Sequence, residues 1–105
     1  MNRAAYEKLG IKPFDAAEYL QSDEGCAAYL QACLEQAPDD TAVFAKALGD
    51  IARARGMMQL AKDTGLTREG LYKSLGEQGN PSLSTVMKVM HALGLQMHIG
   101  PHTAA

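Results

Sequence analysis

The tightest constraint on the fold is the stretch Gln59-Leu60-Ala61-Lys62-Asp63-Thr64-Gly65-Leu66-Thr67-Arg68-Glu69-Gly70-Leu71-Tyr72-Lys73-Ser74-Leu75. Its pattern fits two short helices, roughly residues 58–64 and 68–75, packed at a steep angle across Gly65-Leu66. Gly65 sits where a tight turn requires a positive φ, which glycine adopts without steric cost. Thr67 is a suitable N-cap for the second helix. Ala61 is small where the helices approach closely. Leu60, Leu66, Leu71 and Leu75 point inward. That leaves Glu69, Tyr72 and Lys73 facing outward, with Thr67 and Arg68 at the N-terminal tip of the second helix.

The flanking sequence reads as further helices. Residues 1–14 lack periodicity, are broken by Gly10 and Pro13, and are expected to be a loose N-terminal arm. Asp15 is placed to cap a short helix over 16–21. Asp23 opens a longer one, with Cys26, Ala27, Leu30, Cys33 and Leu34 on one face. Residues 15–40 thus form a helical extension. Thr41 starts the next helix, whose stripe is Val43, Phe44, Ala47, Leu48 and Ile51. Arg53 and Arg55 suit its C-terminal dipole, and Gly56 ends it. After the turn-rich residues 76–80, Pro81-Ser82 introduce a helix with Leu83, Val86, Met87, Met90 and Leu93 on one face, stopped by Gly94. Leu95-Gln96-Met97-His98-Ile99 alternates like a half-buried strand. Such a strand needs a partner edge, and a second copy of the chain is the obvious supplier, so Leu95, Met97 and Ile99 are the expected homodimer contacts. Residues 41–100 are expected to form one unit and 101–105 a mobile tail. The expected fold is mostly α, with about six helices and a short C-terminal β-strand.

Composition narrows the function. The chain has 105 residues, 47% of them apolar and 21% charged, which suits one small globular domain. No apolar run is long enough to cross a membrane, and the N-terminus lacks the pattern of a secretory signal. Two cysteines suit a reducing, cytoplasmic setting. Cys26 and Cys33 share a helix face about 10 Å apart along the axis, too far to bond each other, and read as core thiols. His91, His98 and His102 form no compact ligand set, so no metal or other cofactor is implied. Most of Met57, Met58, Met87, Met90 and Met97 read as core filling. No nucleophile–base pair or phosphate loop stands out, which argues against an enzyme. The net charge of −2 excludes a globally basic coat but not a local basic face. Four Lys/Arg stand against eight Asp/Glu before residue 50 and six against four from there on, a net of −4 and +2. Different partners for the two halves, or plain surface variation, both account for that split.

The outward face of the second short helix has what a major-groove reader needs. Arg68 can donate two hydrogen bonds to guanine, and Glu69 can accept from cytosine. Tyr72 can meet a thymine methyl or a phosphate, and Lys73 a phosphate. Gln59 and Thr67 can fix register through phosphates, aided by the amides of the two helix starts. An ordinary helical hairpin, or a module used only for protein contact, remains an open reading of the same residues.

Ala61-Lys62-Asp63-Thr64-Gly65-Leu66 resembles the helix-turn-helix of the lambda-repressor/Cro (Xre-type) DNA-binding family. Gly79-Asn80-Pro81-Ser82-Leu83-Ser84-Thr85 followed by Leu93-Gly94-Leu95 resembles that family's next loop and helix. A narrower resemblance covers about residues 14–99. Phe14-Asp15, Glu18-Tyr19-Leu20, Ala28-Tyr29-Leu30, residues 47–57 and Leu71-Tyr72-Lys73-Ser74-Leu75 look like the probable addiction module antidote family. This implies a lambda-repressor-like helical bundle and an antitoxin of a type II toxin-antitoxin module. Such a protein would neutralise a small RelE/ParE-like toxin and repress its own operon as a homodimer on double-stranded operator DNA. A stand-alone Xre-type transcriptional regulator without a toxin is the alternative. Two departures from the pattern stand out. Met58 replaces the usual Ser or Thr cap, and Gly70 lies inside the second helix, where it costs about 1 kcal/mol relative to Ala.

Overall fold

The computed structural model describes residues 2–102, which form seven α-helices and one 3-10 turn. In chain order these are α1 (Arg3–Leu9), the 3-10 turn Pro13–Asp15, α2 (Ala16–Tyr19), α3 (Asp23–Gln36), α4 (Thr41–Arg55), α5 (Met57–Thr64), α6 (Arg68–Ser74) and α7 (Leu83–Ala92). α1 and α4 pack on α3, while α5 touches α4, α6 and α7. One hydrophobic cluster runs from Ala5 to Leu93 and takes side chains from every α-helix.

Local chemistry accounts for the helix ends. Ser22, Asp40, Thr67 and Ser82 each accept backbone amides of the turn that follows, satisfying donors that a helix start leaves orphaned. Asp15 makes no such side-chain bond. Gly56 at φ 111° separates α4 from α5 with no residue to spare, so α5 begins without a side-chain cap.

Two expectations are corrected. The short C-terminal β-strand at 95–99 does not form, and the described residues contain no strand. Gly94 turns the chain at φ 78°, and the Leu95 amide closes the α7 terminus by donating to the Met90 carbonyl at 2.8 Å. The chain then runs on over the surface. Alternation can specify a strand only where an edge is there to pair with, and no such edge lies among the described residues. Within the expected arm, Arg3–Leu9 form helix α1. Asn2 caps α1 through its Oδ1, Gly10 ends the helix in the left-handed conformation, and Ala5 and Tyr6 are buried. The Tyr6 ring stacks on Tyr29 with centroids 5.2 Å apart. One aromatic anchor rather than a periodic stripe docks this helix, so periodicity misses it. The tail expected at 101–105 lies beyond the described residues from 103 onward.

The core centres on a polar contact. Asp50, on α4, is 8% exposed. The Tyr29 hydroxyl donates to its Oδ2 at 3.0 Å, Arg53 Nη2 to its Oδ1 at 3.2 Å, and Lys46 Nζ lies at 3.6 Å. The same hydroxyl accepts the Asn2 amide at 2.9 Å, which ties α1 to α3 and α4. Burial pushes Tyr6 up to about 12, and it raises Tyr29, Cys26 and Cys33 above their ordinary values. Both cysteines are buried free thiols, as their shared face implies, and the Cys26 thiol donates to the Leu20 carbonyl at 3.1 Å.

Replacing Tyr29 with Phe removes the bridge and leaves Asp50 short of a donor. We expect a loss of about 1–3 kcal/mol in urea unfolding, with helix content retained. These buried thiols and phenols hold their protons more tightly folded than unfolded. Their contribution is therefore complete below the ordinary thiol and phenol values and is lost as pH rises above them. The unfolding midpoint should fall steadily from pH 9 to pH 11. Neither thiol should react with a disulfide reagent at pH 8 until denaturant is added.

Candidate nucleic-acid interface

The junction of α5 and α6 is built by four consecutive residues. The Thr64 hydroxyl donates to the Leu60 carbonyl at 2.8 Å and accepts the Leu66 amide at 3.2 Å. Gly65 is left-handed at φ 74°, its amide bonded to the Ala61 carbonyl at 3.0 Å. Leu66 is partly buried against the core. Thr67 then caps α6, its Oγ1 accepting the Gly70 amide at 3.0 Å. The Gly65, Leu66 and Gly70 amides thus each have an acceptor supplied within a few residues, which fixes the angle between the helices without a long loop.

Buried leucines position α6. Leu71 and Leu75 are fully buried, and Leu60 of α5 nearly so. Close approach fixes the far end: a Cβ on Gly49 of α4 would stand 2.3 Å from the Leu75 carbonyl. Only glycine lets the α4 backbone come so near the end of α6. Gly70 has a different role. A Cβ there would stand 2.8 Å from Thr67 Oγ1, so this glycine leaves room for the cap.

The DNA-contact candidates are all solvent-exposed. Arg68, Glu69, Tyr72 and Lys73 are exposed on α6, and Thr67 is exposed at its start. Tyr72 is 47% exposed, an aromatic ring with no core role. Gln59 is exposed on α5, but its Nε2 donates to Asp63 Oδ1 at 2.9 Å. A phosphate would have to compete with that bond. The structure does not bring Leu95, Met97 and Ile99 together as one edge. Leu95 is half-buried against the core, Met97 is 50% exposed, and Ile99 is 97% exposed.

Sequence reasoning missed four residues around this turn and helix. Thr64 locks the turn, Gly49 seats α6, and Lys88 and His91 of α7 line a surface hollow with Asp63 and Thr64 beside α5. A Thr placed just before the turn glycine was a usable signal for the first. The second depends on a contact between residues 49 and 75 that no local pattern carries. The methionines also divide differently from the expectation: Met57 and Met90 are buried, whereas Met58, Met87 and Met97 are exposed.

No helix among the described residues is long and apolar enough to cross a membrane. The model of the family described as "Probable addiction module antidote protein" matches residues 10–101, and the chain belongs to that family. A relative from Haemophilus influenzae (strain ATCC 51907 / DSM 11121 / KW20 / Rd), described as an uncharacterized protein, is 52% identical over 89 residues. That alignment spans 85% of this chain and 90% of the relative. No solved structure matches. Membership in that family suggests an antidote of an addiction module and implies a toxin partner.

Replacing Thr67 with Ala removes the cap of α6. It should cost about 1 kcal/mol in thermal or urea unfolding. Gly49 to Ala should cost about 1–3 kcal/mol by overpacking, and it should shift the amide resonances of residues 71–76 in a heteronuclear NMR spectrum.

Proposed function

We propose that this antidote protein is an antitoxin that neutralises a RelE/ParE-like toxin and represses its own operon by sequence-specific DNA binding. The observation that carries the DNA-binding part is the solvent-facing row Arg68, Glu69, Tyr72 and Lys73 on a short helix whose start and angle are fixed by hydrogen bonds. A helix spending this many polar and charged side chains on its outer face, while Leu71 and Leu75 hold its inner face, is suited to enter a groove rather than a core. In this reading Arg68 reads guanine, Glu69 accepts from cytosine, and Tyr72 and Lys73 meet a thymine methyl or the backbone. Gln59 and Thr67 set the register on phosphates.

Two copies would place two such helices on successive major grooves about 34 Å apart. Their contact would be made by the exposed side chains of Met97 and Ile99 together with half-buried Leu95. Side-chain packing, not strand pairing, would join the copies. Leu95 and Met97 border a groove of about 390 Å³ that also takes in Leu30, Leu34, Phe44 and Met90, and its lining contains no Lys, Arg, Asp or Glu. An uncharged apolar surface tolerates being set against its own copy, as a two-fold interface demands.

The test is a gel-shift titration with DNA from upstream of the gene, using the wild type and a variant with Arg68→Ala and Lys73→Ala. Retention should be lost at moderate salt. The slope of log affinity against log salt should flatten by about 0.9 for each phosphate contact removed. Unchanged affinity and slope would show that α6 is not the reading helix.

A further inference from the structure

We propose that the groove between the C-terminal part of α3, the start of α4 and the start of α7 seats a protein segment with an apolar face and flanking positive charge. Resting on the antitoxin reading above, this makes the groove the toxin's docking surface. The groove encloses about 370 Å³. Leu34 and Pro38 form one side, Phe44 the floor, and Pro81, Leu83 and Val86 the other side. Leu34, Phe44 and Met97 line both this groove and the uncharged one described above, so the two meet along these side chains. Leu83 is 67% exposed, Met97 50% and Leu34 37%. Three large apolar side chains left open around one concavity are a recognition surface in a chain this small, because burying them elsewhere would have been favourable.

Charge selects the occupant. Among the described residues, the charged side chain in the lining is Asp40, and Asp39 beside it is exposed. No Lys or Arg lines the groove. Asp40 Oδ1 accepts the Ala42 and Val43 amides, which fixes this carboxylate at the rim. A second copy of the chain is disfavoured here, because a two-fold contact sets a patch against itself and brings like charges together. A partner with Lys or Arg beside its apolar anchor gains from the same rim. The two grooves share Leu34, Phe44 and Met97 and differ in charge only in their unshared parts. The neutral one suits self-association, and the acid-rimmed one suits a basic partner.

The test uses the full chain, co-expressed with the tagged toxin of its own module, in wild-type form and as two double variants. Leu34→Ser with Leu83→Ser changes exposed positions and leaves the net charge as it was. Asp39→Asn with Asp40→Asn removes the rim charge, while Asn keeps the α4 cap. Helix content by circular dichroism serves as the control for folding. We expect the leucine pair to weaken toxin binding by at least about tenfold. The aspartate pair should weaken it several-fold at low salt, with the difference fading as salt rises. Wild-type affinity in both variants would overturn the groove assignment while leaving the antitoxin reading standing. So would leucine variants that dissociate a dimer of the chain alone, seen by sedimentation, yet still hold the toxin. Failure of the wild type to bind the toxin would overturn both.

Discussion

A buried carboxylate organises this fold. Desolvating an ionised Asp is costly unless donors surround it, so the partners of Asp50 must arrive together and in one geometry. Tyr29 approaches from α3, while Lys46 and Arg53 approach from the preceding and following turns of α4. The hydroxyl that donates to Asp50 also accepts the Asn2 amide, and the Tyr29 ring stacks on Tyr6. Three helices are thereby held in register around one oxygen. A purely apolar contact would leave their relative slide less well specified.

Gly49 precedes Asp50, and the pair joins the core to the proposed reading helix. Asp50 faces α3, while the absent side chain of Gly49 admits the Leu75 carbonyl at the end of α6. The N-terminal end of α6 is set by Thr64, Gly65 and Thr67. Its orientation is thus fixed at both ends, at one by the turn and at the other by backbone contact with α4 beside Asp50. The N-terminal extension supports this arrangement from outside. Gln21 Nε2 donates to the Ala54 carbonyl at 2.8 Å, and Asp23 pairs with Arg55 at 3.0 Å, both at the C-terminus of α4. These contacts satisfy a helix end that opens directly into α5.

Much of this was readable before any coordinates. Helix starts at Thr41, Arg68 and Leu83 and stops at Gly56 and Gly65 follow from capping chemistry, which is local. The outward residues of α6 follow from the placement of its leucines. What depended on distant partners was not readable. Tyr29 is fully buried although its aromatic ring fell outside the expected α3 stripe, because its hydroxyl has a use inside: Asp50. Ala27, counted in that stripe, is exposed. On α7 the buried face is Val86, Val89, Met90 and Leu93, so Leu83 and Met87 turn outward. Apolar spacing reports amphipathicity but does not say which of two adjacent faces a neighbour covers. The strand expected at 95–99 failed for the same reason, since its pattern specified a pairing without showing a partner.

The charge distribution gains meaning once placed on the fold. A chain of net charge −2 has no long-range attraction for a polyanion, so binding DNA would rest on the local cations of α6 against an unfavourable background field. An acid-rimmed groove on other elements of the molecule supplies part of that background. On the two proposals taken together, a basic partner seated in the groove cancels negative charge that opposes the duplex, without touching α6. Linkage then requires the reciprocal effect: the DNA-bound chain holds that partner more tightly than the free chain does, by the same factor. Such coupling needs no conformational change. It would weaken with salt over the separation of the two surfaces, whereas coupling carried through α4 packing would not.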